Sequence, residues 1–326
     1  MSLFPRNNLC NSNLVVIKIG TSSLTDDSGK ISSEKFRKLA EEIFYLVSNK
    51  KKQIIIVSSG AIAAGAEKLG RLNALRTIPE KQAAAAVGQN LLMTHYEKAF
   101  GAFGIAVGQV LLTRDAIEDR ERYLNSRNTI FQLLKFGVIP VINENDTMAT
   151  EEIRVGDNDN LGALVASLMG ADLLILLSDV AGFYQKGKLL PYVEEISKEI
   201  LDEAKGSSSA VGTGGMETKL QAAKRVLNAG IPMVIANHKK EGVITAILEG
   251  SEVGTLFAPK PSKMEGKKRW IAHGKKPSGH VVIDDGAKKA LLEGGKSLLA
   301  VGIKEVKGKF GAGEVIGIFD SSSCKE

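Results

Sequence analysis

At 326 residues, with 44% hydrophobic and 25% charged side chains, the chain is long enough to bury a sizeable core and too apolar to be disordered. Its two cysteines, Cys10 and Cys324, lie at opposite ends, and His95, His238, His273 and His280 keep no zinc-ligand spacing, which argues against a disulfide framework and a tetrahedral zinc centre. Residues 1–13 lack the apolar stretch of a signal peptide and no apolar run is long enough to span a bilayer, so no membrane partner is expected and the cytoplasm is the expected compartment.

The net charge of +6 is unevenly placed. Residues 1–259 hold 29 basic and 29 acidic side chains, whereas residues 260–326 hold 14 and 8, so the second segment carries the whole excess. Ala258, Pro259, Lys260, Pro261, Ser262 and Lys263 supply a Pro-rich, polar linker at that change. Two domains, 1–259 and 260–326, are therefore expected.

In the first domain, strand-like apolar runs over 14–19, 53–57, 105–111, 138–142, 172–177 and 232–235 alternate with longer helical patterns, as in an α/β sheet flanked by helices. Between the first two runs, Phe36, Leu39, Ala40, Ile43, Phe44 and Val47 recur at helical spacing behind Ser32 and Ser33, which are N-cap candidates. Further helices are predicted over 80–100, 123–136, 160–169 and 216–229, and the run Ser207, Ser208, Ser209 reads as a mobile loop.

Chemistry gathers where strands give way to loops, the place at which open α/β sheets bind ligands. Lys18 sits inside an apolar strand and is followed by Gly20, which lets backbone N–H groups approach an anion; such a lysine can equally snorkel to solvent. Ser58, Ser59 and Gly60 lead into an Ala-rich helix whose N-terminus favours a carboxylate or phosphate, although small residues also serve close helix packing. The run 138–146, VIPVINEND, ends a strand in carboxylates and carboxamides, and GDNDN follows at 156–160. So many acceptors near a core are costly unless something polar binds there, while Asn, Asp and Gly are also turn formers. A glycine-rich loop, GTGGMETK at 212–219, ends in Lys219. It does not fit the P-loop spacing, and no G-x-G-x-x-G follows the first strand, so a P-loop ATPase and a Rossmann dehydrogenase are poor fits. Two lysines, several carboxylates and two glycine loops are the parts that phosphoryl transfer requires.

In order, VVIKIGTSSL, IVSSGAIAAG, VIPVINENDTMATEEIRVGDNDNLGALVA, LLLSDVAGFY and GTGGMETKLQAA resemble the amino-acid kinase family from about residue 14 to residue 257. The resemblance implies a mainly parallel sheet between helices, and an ATP-dependent phosphorylation of the side-chain carboxylate of L-glutamate at the start of proline biosynthesis. Carried over position by position, it implies that Lys18 and Lys219 contact phosphates, and that Ser59, Asp146 and Asn158 hold glutamate. Ser59 and Asn158 would donate to its carboxylates, and Asp146 would accept from its α-ammonium group. ATP is expected on Lys18, Ser178, Asp179, Thr213, Gly214, Gly215, Met216, Glu217, Thr218 and Lys219. Ser178 stands where the family often has threonine, and Glu217 where it often has a smaller polar residue. Asp157 is expected to orient the two lysines. Mg²⁺ would arrive with ATP, without a dedicated all-protein cage. Proline as a feedback inhibitor and self-association into a homo-oligomer are further implications.

Residues 267–320 resemble the PUA domain, a small β-rich module that often binds RNA. The local basic excess fits an electrostatic footprint, but basic residues also solvate ordinary surfaces, and that reading is preferred to RNA binding. The chain stops at Glu326, soon after a strand-like run at 315–319 where the module usually continues, so this domain is expected to lack its closing strands. The rival readings are a kinase for another carboxylate, such as aspartate or N-acetylglutamate, and an RNA-binding protein on a degenerate kinase scaffold. The INEND and GDNDN pair disfavours the first, and intact Lys18, Asp157 and Lys219 disfavour the second.

Overall fold

The computed structural model describes residues 4–72, 74–113, 119–148, 158–205, 215–259, 279–292, 296–311 and 316–320. They belong to two compact units, Met1–Arg269 and Trp270–Glu326. Asp157, the serine run 207–209, Thr213, Gly214, Cys324 and the linker expected after residue 259 lie outside the described residues.

The described residues of the first unit hold ten strands: β1 (Leu14–Ile19), β2 (Gln53–Ser58), β3 (Val107–Leu112), β4 (Ile139–Glu144), β5 (Leu173–Ser178), β6 (Tyr184–Gln185), β7 (Lys188–Leu189), β8 (Tyr192–Val193), β9 (Met233–Asn237) and β10 (Thr255–Phe257). Eight of them form one sheet in the order β3-β4-β2-β1-β5-β9-β10-β8, while β6 and β7 make a separate hairpin. All ladders of the large sheet are parallel except β10 on β9. Its helices are α1 (Ser33–Ser48), α2 (Ala61–Lys68), α3 (Ile78–Gly101), α4 (Arg120–Lys135), α5 (Asn158–Met169), α6 (Lys198–Lys205), α7 (Met216–Asn228) and α8 (Val243–Leu248).

Every residue of β1 is buried, as in a central strand covered on both faces. Side chains alternate across the sheet, so Val15, Ile17 and Ile19 join a core with Phe36, Ala40, Ile43, Tyr96 and Phe100 of α1 and α3. Leu14 and Val16 join the opposite core, with Ala163 and Ala166 of α5 and Ala222, Ala223 and Val226 of α7. Lys18 shares the parity of Val16 and so points beneath α5. Ser32 is the N-cap of α1, accepting from the Lys35 N–H, and Thr77 with Glu80 forms a capping box that starts α3.

Two glycines set the spacing of α2 and α3. A Cβ on Gly65 would meet the Ala84 carbonyl oxygen at 1.8 Å, and one on Gly88 would meet the Ala61 carbonyl oxygen at 1.8 Å. The helices therefore touch backbone to backbone, which any larger residue at either position forbids.

The six anticipated strands all form, and toward their polar ends β4 and β9 run two residues and β5 one residue further than the apolar patterns suggest. The short strands β8 and β10 were not anticipated, because two or three residues carry no legible alternation. Helix α5 begins at Asn158 rather than 160, a shift with consequences for the site.

The second unit contains β11 (Gly279–Ile283), α9 (Asp285–Leu292), β12 (Ile303–Gly308) and β13 (Gly317–Asp320). Strand β11 is central, antiparallel to β12 and parallel to β13. Lys288 of α9 pairs with Asp320 at the end of β13. The expected mainly parallel α/β sheet and small β-rich second unit are both present.

Candidate active site

The carboxyl ends of β4, β2, β1, β5 and β9 lie side by side in the sheet, and they carry Asn143, Ser58, Lys18, Ser178 and Asn237 respectively. Four of these positions, Lys18, Ser178, Asn143 and Ser58 with its neighbour Ser59, fall in segments singled out from the sequence.

At the centre is an ion cluster. Lys18 Nζ lies 2.6 Å from Asp159 Oδ1, and Lys219 Nζ lies 3.1 Å from Asp159 Oδ2. All three are nearly inaccessible, at 8%, 6% and 1% exposure for Lys18, Lys219 and Asp159. Thr218 Oγ1 donates to Asp159 Oδ2 at 3.0 Å and lies 2.8 Å from the Gly215 carbonyl oxygen. Burial pushes the Asp159 carboxyl upward, but the ammonium groups of Lys18 and Lys219 outweigh it and hold the pKa down to about 2. Asp159 is thus a permanent anion at neutral pH. Gly162, one turn along α5, lets the helix lie over the lysine stem, since a Cβ there would sit 3.4 Å from Lys18 Cβ.

Asp159 makes the contacts with both lysines that were expected of Asp157, which lies outside the described residues. Because α5 starts at Asn158, Asp159 belongs to its first turn, where an acidic side chain is also favoured by the helix dipole. A helix read from residue 160 puts both aspartates in a loop, where nothing in the sequence separates them.

A chain of amides runs from the other side. Asn158 Nδ2 donates to the Ser58 carbonyl oxygen at 3.2 Å, to Ser59 Oγ at 2.9 Å and to Asn143 Oδ1 at 3.1 Å. Asn143 Oδ1 also accepts the Glu144 N–H at 2.9 Å, and Asn143 Nδ2 donates to Gln89 Oε1 at 2.8 Å. Backbone groups fix the direction of every link. The Ser58 carbonyl can only accept, so the Asn158 nitrogen must face it; the Glu144 N–H can only donate, so the Asn143 oxygen must face it.

This polarity changes one expectation. Both hydrogens of the Asn158 amide are shared among protein acceptors, while its Oδ1 is buried without a hydrogen-bond partner among the described residues. Asn158 is therefore equipped to accept from an ammonium group, not to donate to a carboxylate. Ser59, whose oxygen accepts from Asn158, keeps its own hydroxyl hydrogen for an anion. Asn143 lies in the polar run 138–146 marked out from the sequence, though no role was assigned to it, and Gln89 was not anticipated. Gln89 had a faint signal: in a helix whose buried stripe includes Ala85, Leu92 and Tyr96, it is a polar residue four positions after Ala85 and three before Leu92.

Asp146 opens a 3₁₀ turn, Asp146–Met148, just beyond β4. It is 8% exposed. Burial, reinforced by the charge of Glu144, pushes its pKa up to about 6. A carboxyl whose pKa is higher folded than unfolded contributes stability below its unfolded value, and loses that contribution as pH rises through the folded value. Removing the charge by Asp146→Asn should thus stabilise the fold above about pH 6, by about 3 kcal/mol at most from a shift of roughly two units. The gain should vanish below about pH 4. Denaturant unfolding at pH 8 and pH 4 measures it, and an equal effect at both would reject the buried charge as its origin.

On the far side of β1, Ser178 Oγ donates to Asp179 Oδ1 at 3.0 Å, and Asn237 Nδ2 donates to the Asp179 carbonyl oxygen at 2.8 Å. Asp179 is exposed and Ser178 buried. Gly215 is the N-cap of α7, with Met216 half-buried and Glu217 exposed in its first turn. Lys219 reaches Asp159 from that same turn. The described residues thus bring together Lys18, Lys219 and Thr218 at one carboxylate and Ser59 with Asn158 in one amide chain. Asp146 stands at the β4 end, and Ser178 with Asp179 at the β5 end. No three His, Cys, Asp or Glu side chains among the described residues gather as a metal cage, and both Asp159 oxygens face lysines.

Residues 13–237 match the amino acid kinase family and residues 279–323 match the PUA domain. The chain is 46% identical over 314 residues to the glutamate 5-kinase of Pelobacter propionicus, covering 94% of this chain and 84% of that protein. With the glutamate 5-kinase of Moorella thermoacetica it shares 48% identity, over 94% of this chain and 82% of that one. Among solved structures, the UMP kinase of Bacillus anthracis superposes with a TM-score of 0.52 at 17% identity, over 77% of this chain and 97% of that chain, a likeness of fold.

Proposed function

The chain belongs to the amino acid kinase family, and on that premise we propose that it transfers the γ-phosphoryl group of ATP to the side-chain carboxylate of L-glutamate, giving L-glutamyl 5-phosphate for proline biosynthesis. The observation that carries this reading is the junction of the two halves at neighbouring residues. Asp159 gathers the lysines, and Asn158 anchors the amide chain. An amino acid bound along the amides would present its far carboxylate to the lysines. Asn143 at the end of β4 is two strand spacings from Lys18 on β1, roughly 10 Å, which leaves room for a five-carbon amino acid.

The nucleophile is a carboxylate with an ordinary pKa of about 4.3, ionised at neutral pH, so no general base is needed. Catalysis then rests on alignment and charge neutralisation. Lys18 and Lys219 both converge on Asp159, which places two ammonium groups where the oxygens of the transferred group would lie. Asp159 holds the two ammonium groups side by side at little electrostatic cost. Ser178, Asp179 and residues 213–219 form the nucleotide side in this reading. Mg²⁺, brought by the nucleotide, supplies further neutralisation of phosphate charge.

Asp146 accepts from the α-ammonium group, with Asn158 Oδ1 as the second acceptor. Asp146 must then be ionised to bind glutamate. Since its pKa is near 6, kcat/KM for glutamate should fall about tenfold per pH unit below that value, at saturating ATP. A profile flat from pH 7 down to 5 would reject the role. Proline shares an α-carboxylate and an α-nitrogen with glutamate, so feedback inhibition would act in the same site, and Asp146→Asn should lose proline sensitivity together with glutamate affinity. We further propose a self-associating, cytoplasmic enzyme whose kinase part ends at residue 259. No helix among the described residues is long and apolar enough to cross a membrane.

The activity is tested by incubating the chain with ATP, hydroxylamine and a panel of amino acids. Hydroxylamine traps acyl phosphates, so hydroxamate should form with glutamate; formation with aspartate and not glutamate would overturn the assignment.

A further inference from the structure

Gln89 is held by the protein at one end of its amide and unsatisfied at the other. Its Oε1 accepts from Asn143 Nδ2 at 2.8 Å, while its Nε2 is buried without a hydrogen-bond partner among the described residues. The orientation cannot be reversed without breaking the chain, because the Glu144 N–H fixes the Asn143 oxygen, and this leaves the Asn143 nitrogen to find an acceptor on Gln89. A buried donor with no partner costs stability comparable to a lost hydrogen bond, and such a cost is commonly tolerated where a ligand completes the set.

Its position tells which ligand group. Gln89 follows Gly88, whose contact with the Ala61 carbonyl pins α3 against α2 just beyond Ser59. Asn143, its partner, is at the β4 end of the row, the side of Asp146 and away from the lysines on β1 and α7. The lysine end takes the reacting carboxylate, so an acceptor at the β4 end belongs to the amino-acid head of the substrate. Asp146 and Asn158 Oδ1 are both acceptors and suit its ammonium group. The remaining need is a donor for the α-carboxylate.

We propose that Gln89 is a specificity-determining residue that donates from Nε2 to the α-carboxylate of the amino-acid substrate, in a direction imposed by the Asn143–Asn158 amide chain. The assignment rests on the activity proposed above and adds the group by which the site selects an α-amino acid. A substrate without an α-carboxylate would leave Gln89 Nε2 unpaired, and would be rejected for that reason.

Gln89→Glu separates this role from simple support of Asn143. Glutamate keeps an oxygen for Asn143 Nδ2 and nearly the same shape, but replaces the donor with an acceptor that repels a carboxylate. The KM for glutamate should rise by about 100-fold or more, and by about 10- to 100-fold in Gln89→Met, which loses the bond without adding charge. The KM for ATP should stay within about twofold in both, which also reports folding. A folded Gln89→Glu enzyme with the unaltered KM for glutamate overturns the proposal, whatever Gln89→Met does. Should Gln89→Glu not fold, Gln89→Met is compared in competition with 4-aminobutyrate, which is glutamate without its α-carboxylate. Weaker glutamate binding with unchanged 4-aminobutyrate inhibition supports the assignment, and parallel losses or none overturn it. Failure of the unaltered chain to turn over glutamate would overturn the activity itself, an outcome distinct from normal turnover with an indifferent Gln89.

Discussion

Asp159→Asn should be the most damaging single substitution in the site, lowering both stability and kcat. Asparagine keeps the shape but removes the buried negative charge that both Lys18 and Lys219 contact. Breaking a buried pair in this way typically costs about 3 to 5 kcal/mol. A loss in kcat of at least 10²- to 10³-fold is expected, the scale for one electrostatic group in an active site. ATP should stabilise the variant against heat more than it stabilises the unaltered enzyme, because nucleotide phosphates restore the missing negative charge. Differential scanning of both proteins with and without nucleotide checks this, and an equal ATP shift in the two would reject the charge argument.

The pH dependence separates Asp159 from Asp146. The folded-state pKa of Asp159 is depressed, so its contribution to stability is present above the unfolded value near 4 and is lost only as pH falls toward about 2. The pKa of Asp146 is raised to about 6. Loss of glutamate affinity between pH 7 and 5 should therefore occur in a fully folded protein, with ATP binding unchanged.

Lys219→Met should lower kcat by about 10²- to 10³-fold while moving the KM for glutamate far less, since its charge matters most when negative charge spreads over the transferred group. Its stability cost should be smaller than that of Asp159→Asn, because Asp159 and Lys18 remain as a balanced pair at 2.6 Å. Methionine fills the space of the lysine stem at this 6% exposed position. Steady-state kinetics with each substrate varied in turn decide the matter. A change confined to the KM for glutamate would reassign Lys219 to ground-state binding. The comparison of the two variants is the sharper test, since a purely structural cluster predicts the same ranking for stability but no selective loss of kcat.

Much of this site could be read from residue type and order. Lys18 in a strand followed by glycine, the serines ahead of an Ala-rich helix and the glycine loop before Lys219 all lie where strands end, and strand parity alone places Lys18 on the face of Val16. The distinction between Asp157 and Asp159 was not legible, because it turns on whether α5 starts two residues earlier, and N-terminal boundaries depend on tertiary partners such as Lys18 and Lys219. Nor could the sequence reveal that Asn158 faces inward with its nitrogen. That follows from the Ser58 carbonyl, 100 positions away in the chain. Gln89 was hidden for a related reason, since its partner Asn143 is 54 positions away and belongs to a different element. Hydrogen-bond polarity is a property of the assembled backbone, whereas charge and apolar periodicity are carried by each segment alone.

The backbone contact between α2 and α3 bears on how readily the site could be redesigned. Gly65 and Gly88 leave no slack between the two helices, so Ser59 ahead of one and Gln89 on the other are fixed like the jaws of a closed caliper. A longer or bulkier amino acid cannot be accommodated by easing these helices apart, and a shorter one cannot draw them together. Any shift in substrate length has to be made by trimming or extending side chains on β4 or by moving the turn that carries Asp146. Directed evolution toward a different amino acid should accordingly accumulate changes around 143–148 while positions 65 and 88 remain glycine.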